Sequence, residues 1–368
     1  MVCDAPHFIY AFDYGAAASR AGQNRVFSPL SSCRQKRVTD ADLRIEDVRN
    51  VDTQFSDQIP TIESVEAGLA RTGYIPSRSI STALFLAMRL GKPILAEGPA
   101  GVGKTELAKA TAEFLGLPLV RMQCYDGLDE SKALYEWKYG KQLLYTQILK
   151  EKVSEVLSKD DSMDAALERL HEFDDIFFSP RFLEPRPLLK ALQEPRGAVL
   201  LIDEIDKADE EFEAFLLEIL SDHQVTIPEI GTITAKVPPI VLLTSNNTRD
   251  LGDAMKRRCL HLHIGYPDAK LEERIIDSRI PGIEISLRKQ LVSFVQQLRG
   301  LDLRKLPSVS ETIDWARAIL LLNATRLDTE VVQDTLNLLL KFEGDMTIGG
   351  RAVGEMTLKA RREAGIET

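Results

Sequence analysis

The run Gly98-Pro99-Ala100-Gly101-Val102-Gly103-Lys104-Thr105 has the residue types and spacing of a phosphate cradle. Its glycines leave room for backbone amides to wrap phosphate oxygens, and the start of the following helix adds partial positive charge. Lys104 is placed to neutralise β- and γ-phosphates, and Thr105 offers a hydroxyl to Mg²⁺. A second signal lies further along, where the apolar run Val199-Leu200-Leu201-Ile202 ends in Asp203-Glu204. Asp203 would hold Mg²⁺ through water, and Glu204 would polarise an attacking water. Transfer of phosphate to a bound acceptor does not need that second acid, whereas ATP hydrolysis does. Asp206 and Asp209 continue the acidic turn and read as solvated residues or caps of the next helix.

Two weaker signals follow. Ile240-Val241-Leu242-Leu243-Thr244-Ser245-Asn246-Asn247 ends an apolar strand in amides. Asn246 could orient the lytic water, or the pair could simply form a turn. Arg257-Arg258-Cys259 comes next. A guanidinium supplied by a neighbouring subunit stabilises charge on a transferring phosphoryl group, and two surface arginines are the plainer alternative.

These residues need a parallel sheet to gather them. Pro93–Ala96, Leu119–Cys124, Ala198–Ile202 and Ile240–Thr244 are short apolar runs, as strands covered on both faces should be. Thr105–Leu115 carries Leu107, Thr111 and Phe114 at helical spacing and stops at Gly116. Alternation of such strands and helices predicts an α/β fold with a parallel sheet. Beyond Tyr266-Pro267 the strand pattern ceases, and stripes such as Leu287, Leu291, Val295, Leu298 and Val332, Leu336, Leu339 predict helices. Ser308-Val309-Ser310-Glu311 is a capping box. The expected division is an extension over 1–61, poorly ordered as a terminal segment with little periodicity, and a nucleotide-binding α/β domain over 62–266. A helical insertion over about 137–187, a helical lid over 267–345 and a tail over 346–368 complete it.

Composition limits the function classes. Lys and Arg number 46 against 56 Asp and Glu, a net charge of −10, which argues against coating nucleic-acid phosphates. No apolar run is long enough to span a bilayer, and the four cysteines show no metal-ligand spacing. A reduced, cytoplasmic setting without structural zinc is expected, including a peripheral position at the inner membrane face.

The four motifs, in this order and followed by helices, resemble the AAA+ ATPases over roughly residues 62–345. The resemblance implies a P-loop NTPase sheet with a small all-helical lid. It implies ATP and Mg²⁺ as cofactors, with Thr105 and Asp203 toward the metal and Lys104, Glu204, Asn246 (sensor one) and Arg258 (arginine finger) as catalytic residues. Gly98, Pro99, Ala100, Gly101, Val102, Gly103, Lys104, Thr105 and Glu106 would line the nucleotide, with Tyr74 and Ile75 against adenine. The stretch His223–Ala235 is similar to a hairpin of the MoxR branch. Tyr125-Asp-Gly-Leu-Asp-Glu-Ser-Lys-Ala-Leu-Tyr-Glu-Trp137, Lys141-Gln-Leu-Leu144 and Pro307–Arg317 resemble the MoxR-type ATPases associated with aerobic carbon monoxide dehydrogenase (CoxD-type).

That likeness implies a maturation chaperone working as a homo-oligomeric ring, six subunits being the family's number. It also implies a von Willebrand factor A domain partner and a molybdenum hydroxylase client. A nucleic-acid motor or clamp-loader-like ATPase is the alternative. One departure stands out: where many AAA+ lids carry the sensor-two Arg, this chain reads Ser310-Glu311-Thr312, with Arg317 nearly two turns further in.

Overall fold

The computed structural model describes residues 59–145, 147, 179–228 and 230–365. The expected extension over 1–61, apart from 59–61, and most of the expected insertion lie outside the described residues. Two helices, α1 (Ile62–Arg71) and α2 (Arg78–Leu90), lead into β1 (Ile94–Glu97), and α3 (Lys104–Leu115) follows the glycine-rich loop. β2 (Leu119–Gln123), α4 (Glu130–Leu134) and β3 (Tyr135–Trp137) precede β4 (Leu183–Pro185), α5 (Pro187–Gln193) and β5 (Val199–Asp203). Next come α6 (Glu210–Asp222), the hairpin β6 (Gln224–Ile227) and β7 (Gly231–Thr234), β8 (Ile240–Ser245), α7 (Asp253–Arg258) and β9 (Leu260–His263). The chain then runs through α8 (Ala269–Arg279), α9 (Ile285–Leu298), α10 (Val309–Leu321), α11 (Thr329–Leu339) and α12 (Glu343–Glu363).

The five-stranded sheet has the order β2-β5-β8-β1-β9, and every neighbouring pair is parallel. All five β5 residues and all six β8 residues are buried, which explains their unbroken apolar runs. One apolar cluster joins Leu200, Ile202, Leu216 and Ile219 on one face. Another joins Leu69, Leu84, Leu107 and Leu201 on the other. β9 escapes sequence reading because Leu260-His261-Leu262-His263 places only Leu262 fully in the core.

The residues read from sequence as a tail over 346–368 include most of a 21-residue helix, α12, whose Val353, Met356 and Ala360 enter the lid core. Gly349 and Gly350 obscure that helix in the sequence; at Gly349 an added Cβ would lie 2.6 Å from Leu340 Cδ1, so the leucine side chain would have to shift. Ion pairing sets the lid geometry. Glu272 on α8 is fully buried, and Arg299 at the end of α9 holds it with two bonds of 2.7 and 2.8 Å. Gln296 and Thr312 donate to the same carboxylate. Arg299 Nε also donates to Pro307 O (2.8 Å), fixing where α10 begins. Removing one partner of a buried pair leaves an uncompensated charge. Arg299→Ala should therefore destabilise the lid by about 3–5 kcal/mol, read as a lowered urea midpoint in the fluorescence of Trp315, which packs in the same core.

Candidate functional site

The glycine-rich loop starts α3 at the carboxyl end of β1, the edge where open parallel sheets hold their ligands. Gly98 has no substitute there: a Cβ would sit 2.0 Å from Ile264 O. Lys104 is buried, and its Nζ donates to Gly98 O (2.6 Å), Pro99 O (2.7 Å) and Asn246 Oδ1 (2.8 Å). Burial lowers the Lys104 pKa, against the opposite pull of Asp206, Asp203 and Glu204.

The two acids at the end of β5 differ in setting. Asp203 is buried and takes donors from three elements. Thr244 Oγ1 on β8 donates to Oδ1 at 2.5 Å, and Thr105 Oγ1 lies 3.1 and 3.3 Å from the two oxygens. Arg121 on β2 donates to Oδ2 from Nε (3.1 Å) and Nη2 (2.6 Å). Glu204 has φ 58° and ψ 50°, a left-handed conformation uncommon outside glycine. Its amide is secured by Thr244 Oγ1 (2.9 Å). Its carboxylate accepts from Asn246 Nδ2 (3.2 Å), Gln123 Nε2 (2.9 Å) and Lys207 Nζ (2.5 Å). Lys104, Thr105, Asp203, Glu204 and Asn246 are thus joined by hydrogen bonds, with Thr244 bridging the two acids, although the chain separates Lys104 from Asn246 by 142 positions.

Thr244, Arg121 and Gln123 were missed in the sequence. The available signal was alternation: β2 reads Leu119-Val120-Arg121-Met122-Gln123, with Arg121 and Gln123 on the exposed face. The reading of Asp206 as solvated or capping is corrected. It is buried, and its Oδ2 accepts from Asn246 N (3.2 Å), Thr248 N (3.0 Å) and Thr248 Oγ1 (2.6 Å). Asp209 does cap α6, accepting from Phe212 N at 2.8 Å.

Beside the loop lies a cleft of about 490 Å³ between sheet and lid, lined among others by Tyr74, Ile75, Gly101, Glu106, Arg279 and Arg317. Val102, Gly103 and the chain turn His263–Asp268 also line it. Tyr74 is buried, and burial together with the Glu106 charge raises its phenol far above the ordinary range. Glu106 pairs with Arg279 of α8 at 2.9 Å. The lid touches the loop directly: Ser310 N and Oγ each lie 3.3 Å from Gly101 O as donors. Arg317 reaches the cleft wall while pairing with Asp314 at 3.3 Å. Arg258 is not part of this network. It is exposed at the end of α7, and its Nε donates to Ser221 Oγ (2.7 Å); Arg257 is exposed beside it.

Thr105 and Asp203 present a hydroxyl and a carboxylate side by side, an all-oxygen pair that suits Mg²⁺ carried in with phosphates. Among the described residues no cluster of three or more His, Cys, Asp or Glu could hold a metal by itself. The described cysteines, Cys124 and Cys259, are buried free thiols pushed up to about 12 by burial. Among the described residues no helix is long and apolar enough to cross a membrane.

The parallel sheet, the loop-to-helix phosphate cradle and the paired acids define a P-loop fold of the AAA type, with a helical region after it. Residues 93–259 match the family model described as an AAA domain (dynein-related subfamily), which implies nucleotide binding and hydrolysis in general terms. The chain is 26% identical over 237 residues to an uncharacterized protein of Staphylococcus aureus (strain NCTC 8325 / PS 47), covering 63% of this chain and 76% of that one. An uncharacterized protein of strain Mu50 / ATCC 700699 matches with the same identity and coverage. Among solved structures, a mutant of Thermotoga maritima RuvB aligns at 18% identity and TM-score 0.42, over 84% of this chain and 85% of that one. The Thermotoga maritima RuvB Holliday junction branch migration motor aligns at 16% identity and TM-score 0.39, over 84% and 86%.

The setting of Asp206 has a pH consequence. Burial raises its pKa, but the bonds from Thr248 and Asn246 outweigh that and leave it lowered. A folded pKa below the unfolded one adds stability above the ordinary carboxylate range, and this is lost as pH falls through the folded value. Asp206→Asn should lower the urea midpoint at pH 7, and the deficit should shrink as both proteins are acidified below pH of about 4.

Proposed function

We propose that this chain is a Mg²⁺-dependent ATPase whose hydrolysis drives remodelling of a protein client. The observation that carries the reading is the hydrogen-bonded network at the mouth of the glycine-rich loop, in which Lys104–Asn246–Glu204 and Thr105–Asp203 are bridged by the Thr244 hydroxyl. In this reading Lys104 exchanges its loop carbonyls for β- and γ-phosphate oxygens. The loop amides and the α3 start hold the remaining phosphate charge. Thr105 and Asp203 would hold Mg²⁺, which when bound neutralises phosphate charge. Glu204 accepts the proton of the attacking water, and Asn246, already bonded to Glu204, orients that water. Tyr74 and Ile75 line the part of the cleft suited to an adenine ring.

The finer assignment rests on the likeness of Tyr125–Trp137, Lys141–Leu144 and Pro307–Arg317 to MoxR-type, CoxD-like ATPases. It makes the chain a maturation chaperone with a von Willebrand factor A domain partner and a molybdenum hydroxylase client, in the cytoplasm or peripheral at the inner membrane face. AAA+ proteins commonly assemble as rings, and the exposed Arg258, outside its own chain's network, fits a finger offered to a neighbour. The net charge of −10 weighs against a nucleic-acid motor. The domain reading that goes with this function is a nucleotide-binding domain to about 266 and a lid that includes α12.

Two experiments test the reading. Lys104→Ala should abolish binding of a fluorescent ATP analogue, while Glu204→Gln should bind it and release phosphate about 10²–10⁴-fold more slowly. Wild-type turnover by Glu204→Gln would remove its role as base. Arg258→Ala should bind ATP and lose about 10³-fold in turnover. Mixed with Lys104→Ala in co-assembled rings, it should regain part of the activity, because some interfaces then pair an intact loop with an intact Arg258. No recovery in rings shown by native mass spectrometry to be mixed would refute a finger acting between subunits.

A further inference from the structure

The donors around Asp203 account for all of its hydrogen-bonding capacity. An ionised carboxylate offers about four lone-pair sites. Oδ1 is taken by Thr244 and Thr105, and Oδ2 by both Nε and Nη2 of Arg121, with Thr105 also in reach. A cation approaching Asp203, directly or through water, must therefore displace one of these donors.

The three donors are not equally free to leave. Thr244 is buried, its Oγ1 lies 2.5 Å from the carboxylate, and the same oxygen accepts the amide of Glu204. Losing it would release the strained backbone of the neighbouring acid. Thr105 is fixed by the first turn of α3, and its hydroxyl can turn a lone pair outward without moving the backbone. Arg121 differs in both respects. Its side chain is 50% exposed against 5% for Asp203, so water can solvate the guanidinium once it withdraws. It also has a second acceptor on its own strand, Gln123 Oε1 at 2.9 Å from Nη2, to hold it after it lets go. Charge decides the matter: a guanidinium and a divalent cation on the same carboxylate repel each other, so each weakens the other's binding.

We propose that Arg121 is the resident counter-cation of the metal carboxylate, a positioning residue that Mg²⁺ must displace from Asp203 when it enters with nucleotide. The proposal rests on the nucleotide reading above and assigns this chain a brake on its own metal affinity. Arg121 holds the Asp203 carboxylate aimed while restricting metal occupancy to conditions in which the nucleotide's phosphates supply further ligands. The guanidinium is suited to this task by its planar fork, which makes two bonds to one carboxylate; an ammonium would make a looser contact.

The test compares how strongly Mg²⁺ tightens nucleotide binding in the full-length chain. Dissociation constants for mant-ATP are measured by fluorescence with excess EDTA and with saturating Mg²⁺, for wild type, Arg121→Gln and Arg121→Lys. The ratio of the two constants measures the coupling between metal and nucleotide, so a defect that weakens both equally cancels. The ratio should rise roughly two- to fivefold in Arg121→Gln, the worth of a partly exposed charge pair. It should rise less in Arg121→Lys, which keeps the charge but loses the fork. A ratio unchanged or lowered in both variants overturns the proposal, because Arg121 would then support the metal or serve packing alone. If Arg121→Gln fails to fold by circular dichroism, Arg121→Lys decides by the same criterion. Failure of the wild type to bind mant-ATP in either condition would overturn the nucleotide reading itself, and the role of Arg121 with it.

Discussion

Burying the Asp203 carboxylate is the constraint on which the site depends. A charge taken out of water at the end of a fully covered strand is tolerated only if donors replace its hydration. Here the replacements come from β2, the start of α3 and β8, the first and last flanking β5 in the sheet. Satisfying one side chain therefore ties together the elements that carry the glycine-rich loop, both acids and Asn246. Thr244 shows the economy of the arrangement: its hydroxyl donates to Asp203 and accepts the amide of Glu204, so the left-handed turn at Glu204 is held by the same atom. Asp206 repeats the device one turn later, securing the backbone of Asn246 and Thr248.

The lid is positioned by a second buried charge. Glu272 draws α8, α9 and α10 together through Gln296, Arg299 and Thr312, and Arg299 continues to the carbonyl of Pro307. The chain then enters the Ser308 cap, where Glu311 reaches back to the Ser308 amide and closes the capping box. That places Ser310 against Gly101. The helical region meets the phosphate loop here through a serine amide and hydroxyl. A neutral contact to a loop carbonyl ties lid position to loop conformation, and the charged contacts of the cleft fall to Arg279 and Arg317 on its flank.

Much of the fold was legible because it is written locally. The apolar runs that became β1, β5 and β8 were recognisable within a residue at each end, since strands covered on both faces are apolar along most of their length, and β2 was found to the same precision although its Arg121 and Gln123 are exposed. β9 and α12 were not. A strand with one inward leucine between histidines lacks that pattern, and a helix carrying Gly349 and Gly350 lacks helical propensity.

The phosphate cradle and the paired acids belong to the sequence alone, because glycine freedom, a lysine and adjacent carboxylates act through bonds a few residues long. The parts played by Arg121, Gln123, Thr244 and Asp206 belong to the tertiary structure. Arg121 lies 82 positions from Asp203 and meets it only because β2 pairs with β5 in a register that sets Gln123 beside Asp203. Which strand adjoins which is decided by packing the whole sheet between its covering helices. Alternation in β2 marks Arg121 and Gln123 as one face of a strand, but that this face meets the acids shows only once the strands are side by side.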